Sequence, residues 1–302
     1  MQHFRMPLWE GRDDVAITAH LTEMPDMPGM SAPKRPAIIV CPGGAYLACS
    51  TFGGEGEQIS AEFFASGYQV FMLEYTVAMK AGNHPTEYPN ALRDLGKAML
   101  TIRSHAEEWS IDVEKIVVCG FSAGGHLVGT LAAFWSAPIL ADYFHVPSEH
   151  FRPGAVIMCY PVADYVVQEQ FPYQPRDREA MTESNRVFFG NEHPSQVQLE
   201  AMSIPLHITK DTPPIFLVHA ADDPLVSPLN ALHMAESCVK KNVPCELHLF
   251  EQGGHGFGIG NDGAMQWRQD KRRRCGQWVN LALQWLDRQL YPETKESTII
   301  PL

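Results

Sequence analysis

Several things are missing from this sequence, and each absence narrows what the chain can be. No apolar run approaches the ~18 residues that a membrane-crossing helix needs. The first residues, MQHFRMPLWEGRDD, hold no apolar stretch of the kind a secretory leader requires. Positive charge is in short supply: 23 Lys and Arg stand against 35 Asp and Glu, a net charge of −12. Phosphate backbones repel such a chain, so no nucleic-acid partner is expected. Its one basic cluster, Lys271-Arg272-Arg273-Arg274, precedes an amphipathic stretch and reads as a solvated helix face. The seven cysteines are odd in number and lack paired spacing. Cys41, Cys119, Cys159 and Cys245 fall in or beside strand-like runs, where a free thiol behaves as a small apolar residue; reduced cysteines and a cytoplasmic location are expected. There is no internal repeat and no low-complexity tract. His193 and His207 have no partners at metal-ligand spacing, so neither metal nor cofactor is expected.

What is present is core material. Hydrophobic residues make up 45% of 302 residues and charged residues 19%, enough for one large domain spanning 1–302. Strand-length apolar runs, at Ala37–Cys41, Gln69–Glu74, Ile116–Gly120, Ala155–Tyr160, Ile215–Ala220 and Cys245–Phe250, alternate with stretches of helical periodicity. The latter lie near Glu57–Ser66, Ala91–Glu107, Ala123–Ser136, Leu229–Lys241 and Gln277–Leu290. This alternation predicts an α/β fold, a mostly parallel sheet covered on both faces. Residues before about 35 are expected to add an antiparallel edge, on a weaker pattern. Residues 161–213 break the rhythm with several prolines and no clear strand, and read as a small insertion after the sixth strand, a cap or substrate-side excursion.

The strand run Ile116–Cys119 leads into Gly120-Phe121-Ser122-Ala123-Gly124-Gly125 and then a helix. G-x-S-x-G between strand and helix marks a sharp turn that lifts a nucleophilic serine out at the carboxyl end of a sheet. Glycine is needed on either side because a side chain there would collide with the neighbouring strand or helix. The helix N-terminus then points its free N–H groups at a developing oxyanion. Ser122 is thus the candidate nucleophile. Upstream, Ala37–Cys41 ends in Pro42-Gly43-Gly44-Ala45-Tyr46, and two glycines there let the backbone turn N–H groups toward the serine. The expected oxyanion donors are the amides of Ala45 (or Gly44) and Ala123.

A serine elbow of this kind is followed in the chain by the acid and then the base. Among 13 histidines, His255 stands in Gly253-Gly254-His255-Gly256-Phe257-Gly258, just past the last strand, where a flexible loop can deliver an imidazole. His248 within that strand, His233 in a helix and His126 after the elbow read as packing, surface or structural residues. Asp222 and Asp223 both follow Ile215–Ala220 and both qualify as the acid. Asp223 is preferred, since a residue before proline has restricted backbone freedom and holds its carboxylate well.

On these stretches, together with Tyr88–Asp94, Tyr160-Pro161-Val162 and Thr209–Val226, the chain resembles bacterial α/β-hydrolase esterases of the acetyl-esterase, acetylxylan-esterase and feruloyl-esterase kind. The likeness spreads over roughly 37–290, nearly the whole chain. It implies the α/β-hydrolase fold, a Ser122–His255–Asp223 triad and a small-molecule ester substrate, an acetylated sugar or xylo-oligosaccharide being the leading type. It also implies that the aspartate before Pro-Leu is the acid and that Asp94 is structural. The sequence departs from the lipase branch in Cys41-Pro42, where a histidine is usual, and in Ala45, where many relatives keep a third glycine; both bear on the shape of the acyl pocket. Tyr46, Phe121 and Phe257, with Phe52, are placed near the expected mouth as substrate-binding aromatics. No membrane partner is expected; a homodimer is allowed. A prolyl-oligopeptidase-like peptidase and a non-catalytic hydrolase-fold binding protein are the rival readings, the first disfavoured by the lack of room for a gating domain, the second by an intact triad.

Overall fold

A computed structural model describes residues 1–23, 33–260 and 273–292. Eight strands form one sheet in the order β1-β2-β4-β3-β5-β6-β7-β8. They are β1 (Gln2–Trp9), β2 (Arg12–Leu21), β3 (Arg35–Cys41), β4 (Gln69–Glu74), β5 (Ile111–Phe121), β6 (Ala155–Cys159), β7 (Ile215–Ala220) and β8 (Cys245–Phe250). β1 and β2 are antiparallel, which is the expected edge; from β4 through β8 all pairs are parallel.

Side chains alternate across each strand, and this assigns the helices to faces. In β3, Ile38 and Val40 join one core with α1 (Glu57–Ala65) and α9 (Trp278–Leu290). Ala37, Ile39 and Cys41 join the other, with α2 (Asn90–Ser104), α3 (Ala123–Phe134) and α8 (Leu229–Lys241). Parallel strands buried on both sides are predominantly apolar, and β4 and β7 are fully buried, with polar residues only at or near their ends: Gln69 and Glu74 in β4, and His219 in β7. All seven cysteines are reduced thiols.

The sequence leaves 161–213 without regular structure, but the chain there forms α5 (Tyr165–Glu169), α6 (Pro175–Phe189) and α7 (Gln196–Met202). Another helix, α4 (Pro138–Phe144), follows α3. Their signals are caps rather than periodicity. Pro175 and Pro138 open two of them, and Ser195 with Gln198 forms a reciprocal cap on the third. α6 buries only Ser184, Asn185, Val187 and Phe188, too few apolar residues to stand out. Of the basic cluster, Arg273 and Arg274 are exposed, while Lys271 and Arg272 lie outside the described residues. No single described helix is long and apolar enough to cross a membrane.

The strand order places the site. β3 leads to β4 on one side, and β5 leads to β6, β7 and β8 on the other, so the winding reverses between β3 and β5. At such a switch point the loops leaving two adjacent strands diverge and open a crevice beyond their carboxyl ends. Those loops are Gly43–Tyr46 and the turn at Ser122, with Cys41 opposite Gly120 in register.

Candidate active site

Ser122 occupies a strained backbone, φ +53° and ψ −115°, at the junction of β5 and α3. Two glycines make this tight turn feasible. A Cβ on Gly120 would lie 2.1 Å from the Gly124 carbonyl oxygen, and one on Gly124 would lie 2.1 Å from that of Cys41. The Ser122 N–H donates to Cys159 O at 2.9 Å, which fixes the elbow to the end of β6. The first N–H groups of α3, beginning with Ala123, have no acceptor within the helix.

The glycine loop completes this pocket. Gly43 O accepts from Ser50 N, and Gly44 O accepts from Leu47 N and Ala48 N. In a trans peptide the N–H points opposite to the preceding carbonyl. The amides of Gly44 and Ala45 are therefore turned away from these inward bonds, and they have no acceptor among the described residues. The loop abuts the nucleophile: a Cβ on Gly43 would stand 3.0 Å from Ser122 Cβ.

His255 lies between the other two side chains. The Ser122 hydroxyl donates to His255 Nε2 at 3.0 Å, and His255 Nδ1 donates to Asp223 Oδ2 at 2.8 Å. Asp223 Oδ1 accepts the amides of Leu225 and Val226, each at 2.9 Å, so the turn that holds the carboxylate is built on it. Burial alone would raise the Asp223 carboxyl, but the charge of His255 and the hydrogen bonds from His219 and His255 outweigh it, holding the group well below the usual carboxylate range. A depressed carboxyl contributes stability that is complete above its unfolded value of about 3.9 and fades only as pH falls through the folded value. Asp223 therefore stays ionised throughout the neutral and mildly acidic range. Its neighbour Asp222 serves as an anchor instead. Its Oδ1 accepts the amides of Gly253 and Gly254 at 2.7 and 2.8 Å, holding the loop that bears the imidazole.

Two residues that the sequence reading did not single out belong to this assembly. His219, fully buried at the end of β7, has Nε2 3.1 Å from Val226 O and 3.3 Å from Asp223 Oδ2. The signal for it is its position four residues before Asp223, at the end of the strand that leads to the acid. Glu55 lies in the turn Gly53–Glu55, its carboxylate 3.0 Å from Gly43 N and 2.8 Å from the Tyr160 hydroxyl.

The expected substrate-binding aromatics need correcting. Tyr46, Phe121 and Phe257 are buried, at 2%, 0% and 2% exposure, and pack on neighbouring side chains rather than forming an exposed platform. Tyr46 stacks on Phe188 and donates its hydroxyl to His126 Nδ1 at 2.8 Å, while Phe121 and Phe257 pack on Tyr160. Tyr46 belongs to the core on one face of the sheet, Phe121 and Phe257 to the core on the other. Phe52 is different, at 79% exposure.

His126 is structural, as its position in α3 suggests. Its Nε2 donates to Met202 O at 3.2 Å, which leaves Nδ1 to accept from Tyr46. Burial lowers its pKa to about 4 against the opposing bond from Met202. In the unfolded chain a histidine titrates near 6.5, so between pH 6.5 and 4 the unfolded state binds the extra proton. Stability is complete above pH 6.5 and should fall by about 3 kcal/mol toward pH 4 from this residue. Urea midpoints across that range should slope less steeply in His126→Gln; an equal slope would remove His126 as the cause.

His233 pairs with Asp164 and His248 with Glu246, both at 2.8 Å, and His207 packs on the Phe134 ring. Asp94 accepts from Trp9 Nε1 and from the Thr76 amide and hydroxyl, tying β1 to the end of β4.

Comparison with known proteins adds a second line of support. Residues 26–237 match the BD-FAE family model. The chain is 30% identical over 234 residues to an endo-1,4-beta-xylanase B of Butyrivibrio fibrisolvens, covering 76% of this chain and 33% of that protein. It is 26% identical over 231 residues to an acetylxylan esterase of Xylanibacter ruminicola, covering 76% of this chain and 42% of that protein. The chain thus spans less than half the length of either relative. Among solved structures it is similar to a carboxylesterase from Lactobacillus plantarum, with TM-score 0.75, 27% identity and coverage of 96% of this chain and 98% of the other. It is likewise similar to an acetyl ester-xyloside bifunctional hydrolase from Caldicellulosiruptor lactoaceticus, with TM-score 0.72, 27% identity and coverage of 94% and 95%.

Proposed function

Since the chain belongs to the BD-FAE family and is a carboxylic ester hydrolase, we propose that it removes short acyl groups, acetyl foremost, from sugars or xylo-oligosaccharides through an acyl-enzyme on Ser122. Ser122 attacks the ester carbonyl as its proton passes to His255 Nε2; the carbonyl oxygen becomes an oxyanion. The amides of Ala45 (or Gly44) and Ala123 receive that charge. The imidazolium, steadied by Asp223, then gives the proton to the departing alcohol. Water repeats the sequence on the acyl-enzyme and releases the acid. The observation that carries this reading is the unbroken relay from Ser122 through His255 to Asp223, 3.0 and 2.8 Å, beside a helix N-terminus and a loop with unclaimed amides.

The acetyl and sugar preferences draw on the names of the relatives, an acetylxylan esterase and an acetyl ester-xyloside hydrolase among them. Phe52 supports a ring-shaped alcohol: it is exposed two residues before Gly54, which lies against the base loop, and a sugar can stack on such a ring. A panel of p-nitrophenyl esters should give the highest kcat/KM with acetyl and lose about tenfold or more as methylenes are added. Acetylated xylo-oligosaccharides should release acetate. A preference for long acyl chains, or faster cleavage of aminoacyl amides than of esters, would defeat the reading.

A further inference from the structure

We infer that the Glu55 carboxylate is a positioning group for ester hydrolysis, fastening the loop that presents the oxyanion donors to the loop that carries the base. This rests on the ester-hydrolase reading above. The two oxygens of Glu55 reach two separate parts of the site. Oε2 accepts the Gly43 N–H at 3.0 Å, and Oε1 accepts the Tyr160 hydroxyl at 2.8 Å. The Tyr160 hydroxyl in turn accepts the Gly258 N–H at 3.1 Å, three residues beyond His255. The Tyr160 ring stands edge-on to the imidazole, centroids 5.1 Å apart. One carboxylate and one phenol therefore join the segments that leave β3, β6 and β8.

The backbone at this seam is built for close approach. A Cβ on Gly54 would lie 3.0 Å from Gly258 Cα, and one on Gly258 would lie 2.7 Å from Gly54 Cα. Gly56 admits no side chain either, as its Cβ would meet Thr51 O at 1.8 Å. The run Gly53-Gly54-Glu55-Gly56 thus presents a single side chain from a turn pressed against the base loop. The bonds of Gly43 O and Gly44 O to Ser50, Leu47 and Ala48 close within the glycine loop and say nothing of where that loop sits. Glu55 relates it to His255. Catalytic groups displaced by ~1 Å lose about 100-fold in rate, and glycine has the least intrinsic resistance to such displacement.

The test compares kcat and KM on p-nitrophenyl acetate for the unmodified protein, Glu55→Ala, Glu55→Gln, Tyr160→Phe and the Glu55→Ala/Tyr160→Phe double variant. Glu55→Ala should lower kcat about 100-fold and leave KM within about threefold. Glu55→Gln keeps an acceptor oxygen for Gly43 and should recover about tenfold of that loss. The double variant should be no slower than Glu55→Ala, because both act through one seam. A Glu55→Ala kcat within about threefold of the unmodified protein, a loss carried by KM, or additive losses in the double variant would each overturn the inference. Should Glu55→Ala fail to fold, Glu55→Gln and Tyr160→Phe decide it: both retaining full kcat overturns it, and a fall in kcat at constant KM supports it. Failure of the underlying reading looks different, since the unmodified protein would then lack turnover that depends on Ser122, and both claims would fall together.

Discussion

Ser122→Ala should lower kcat for p-nitrophenyl acetate by about four orders of magnitude or more, with the fold intact. The reason lies in the geometry. The strained turn at φ +53° exists to hold one hydroxyl at the crevice, 3.0 Å from the imidazole. Alanine fits the same turn, so thermal unfolding should shift little, while the relay loses its only end that can form a covalent bond to the acyl group. The residual rate would come from the proposed oxyanion donors, the amides of Ala45 (or Gly44) and Ala123, and from binding alone. A fluorophosphonate should label the unmodified protein and not the variant. Activity within about tenfold of the unmodified protein would mean that another group attacks the ester.

The exchange Asp223→Asn should cost about 10⁴-fold in kcat although it changes no shape. Asp223 receives four donors: the amides of Leu225 and Val226 on Oδ1, and His255 and His219 on the side of Oδ2. An asparagine has one acceptor oxygen. If that oxygen keeps the two backbone amides, its NH₂ faces His255 Nδ1, which must then accept. The ring proton moves to Nε2, where it can no longer receive the proton of Ser122. If the oxygen faces His255 instead, the NH₂ meets two backbone N–H donors and the turn is disrupted. The same exchange at Asp222 should cost far less, about threefold, because both of its partners are amides that one oxygen can satisfy. Equal losses at the two positions would reverse the assignment of acid and anchor.

Much of this was legible in the sequence, and for identifiable reasons. Ser122, Asp223 and His255 each follow a run of strand length; β5 and β7 stand out by their apolar runs, while the edge strand β8 is half-exposed and alternates with polar residues. Helices α8 and α9 were legible to within a residue because their apolar faces repeat at helical spacing. The helices of 161–213 were not, since α6 and α7 bury little and are defined by caps. The choice between Asp222 and Asp223 could be ranked but not explained until both hydrogen-bond sets were visible. Glu55 gave no motif, because its partners, Gly43 and Tyr160, are 12 and 105 residues away in the chain. The aromatics Tyr46, Phe121 and Phe257 were misplaced because adjacency in sequence to a catalytic loop does not say which way a ring turns.

The bond from His126 to Met202 sets a limit on how far this protein can be trimmed. Met202 belongs to α7, well inside the segment between β6 and β7, and its carbonyl is the acceptor that fixes the tautomer of a fully buried ring one turn beyond the elbow. A shortened version lacking that segment would strand the imidazole N–H in the core at a cost of about 1–3 kcal/mol. It would also strip Tyr46, the residue after Ala45, of Phe188, the ring on which it stacks. A trimmed version of this scaffold should therefore lose order first around Tyr46 and the glycine loop before it, far along the chain from the excised helices.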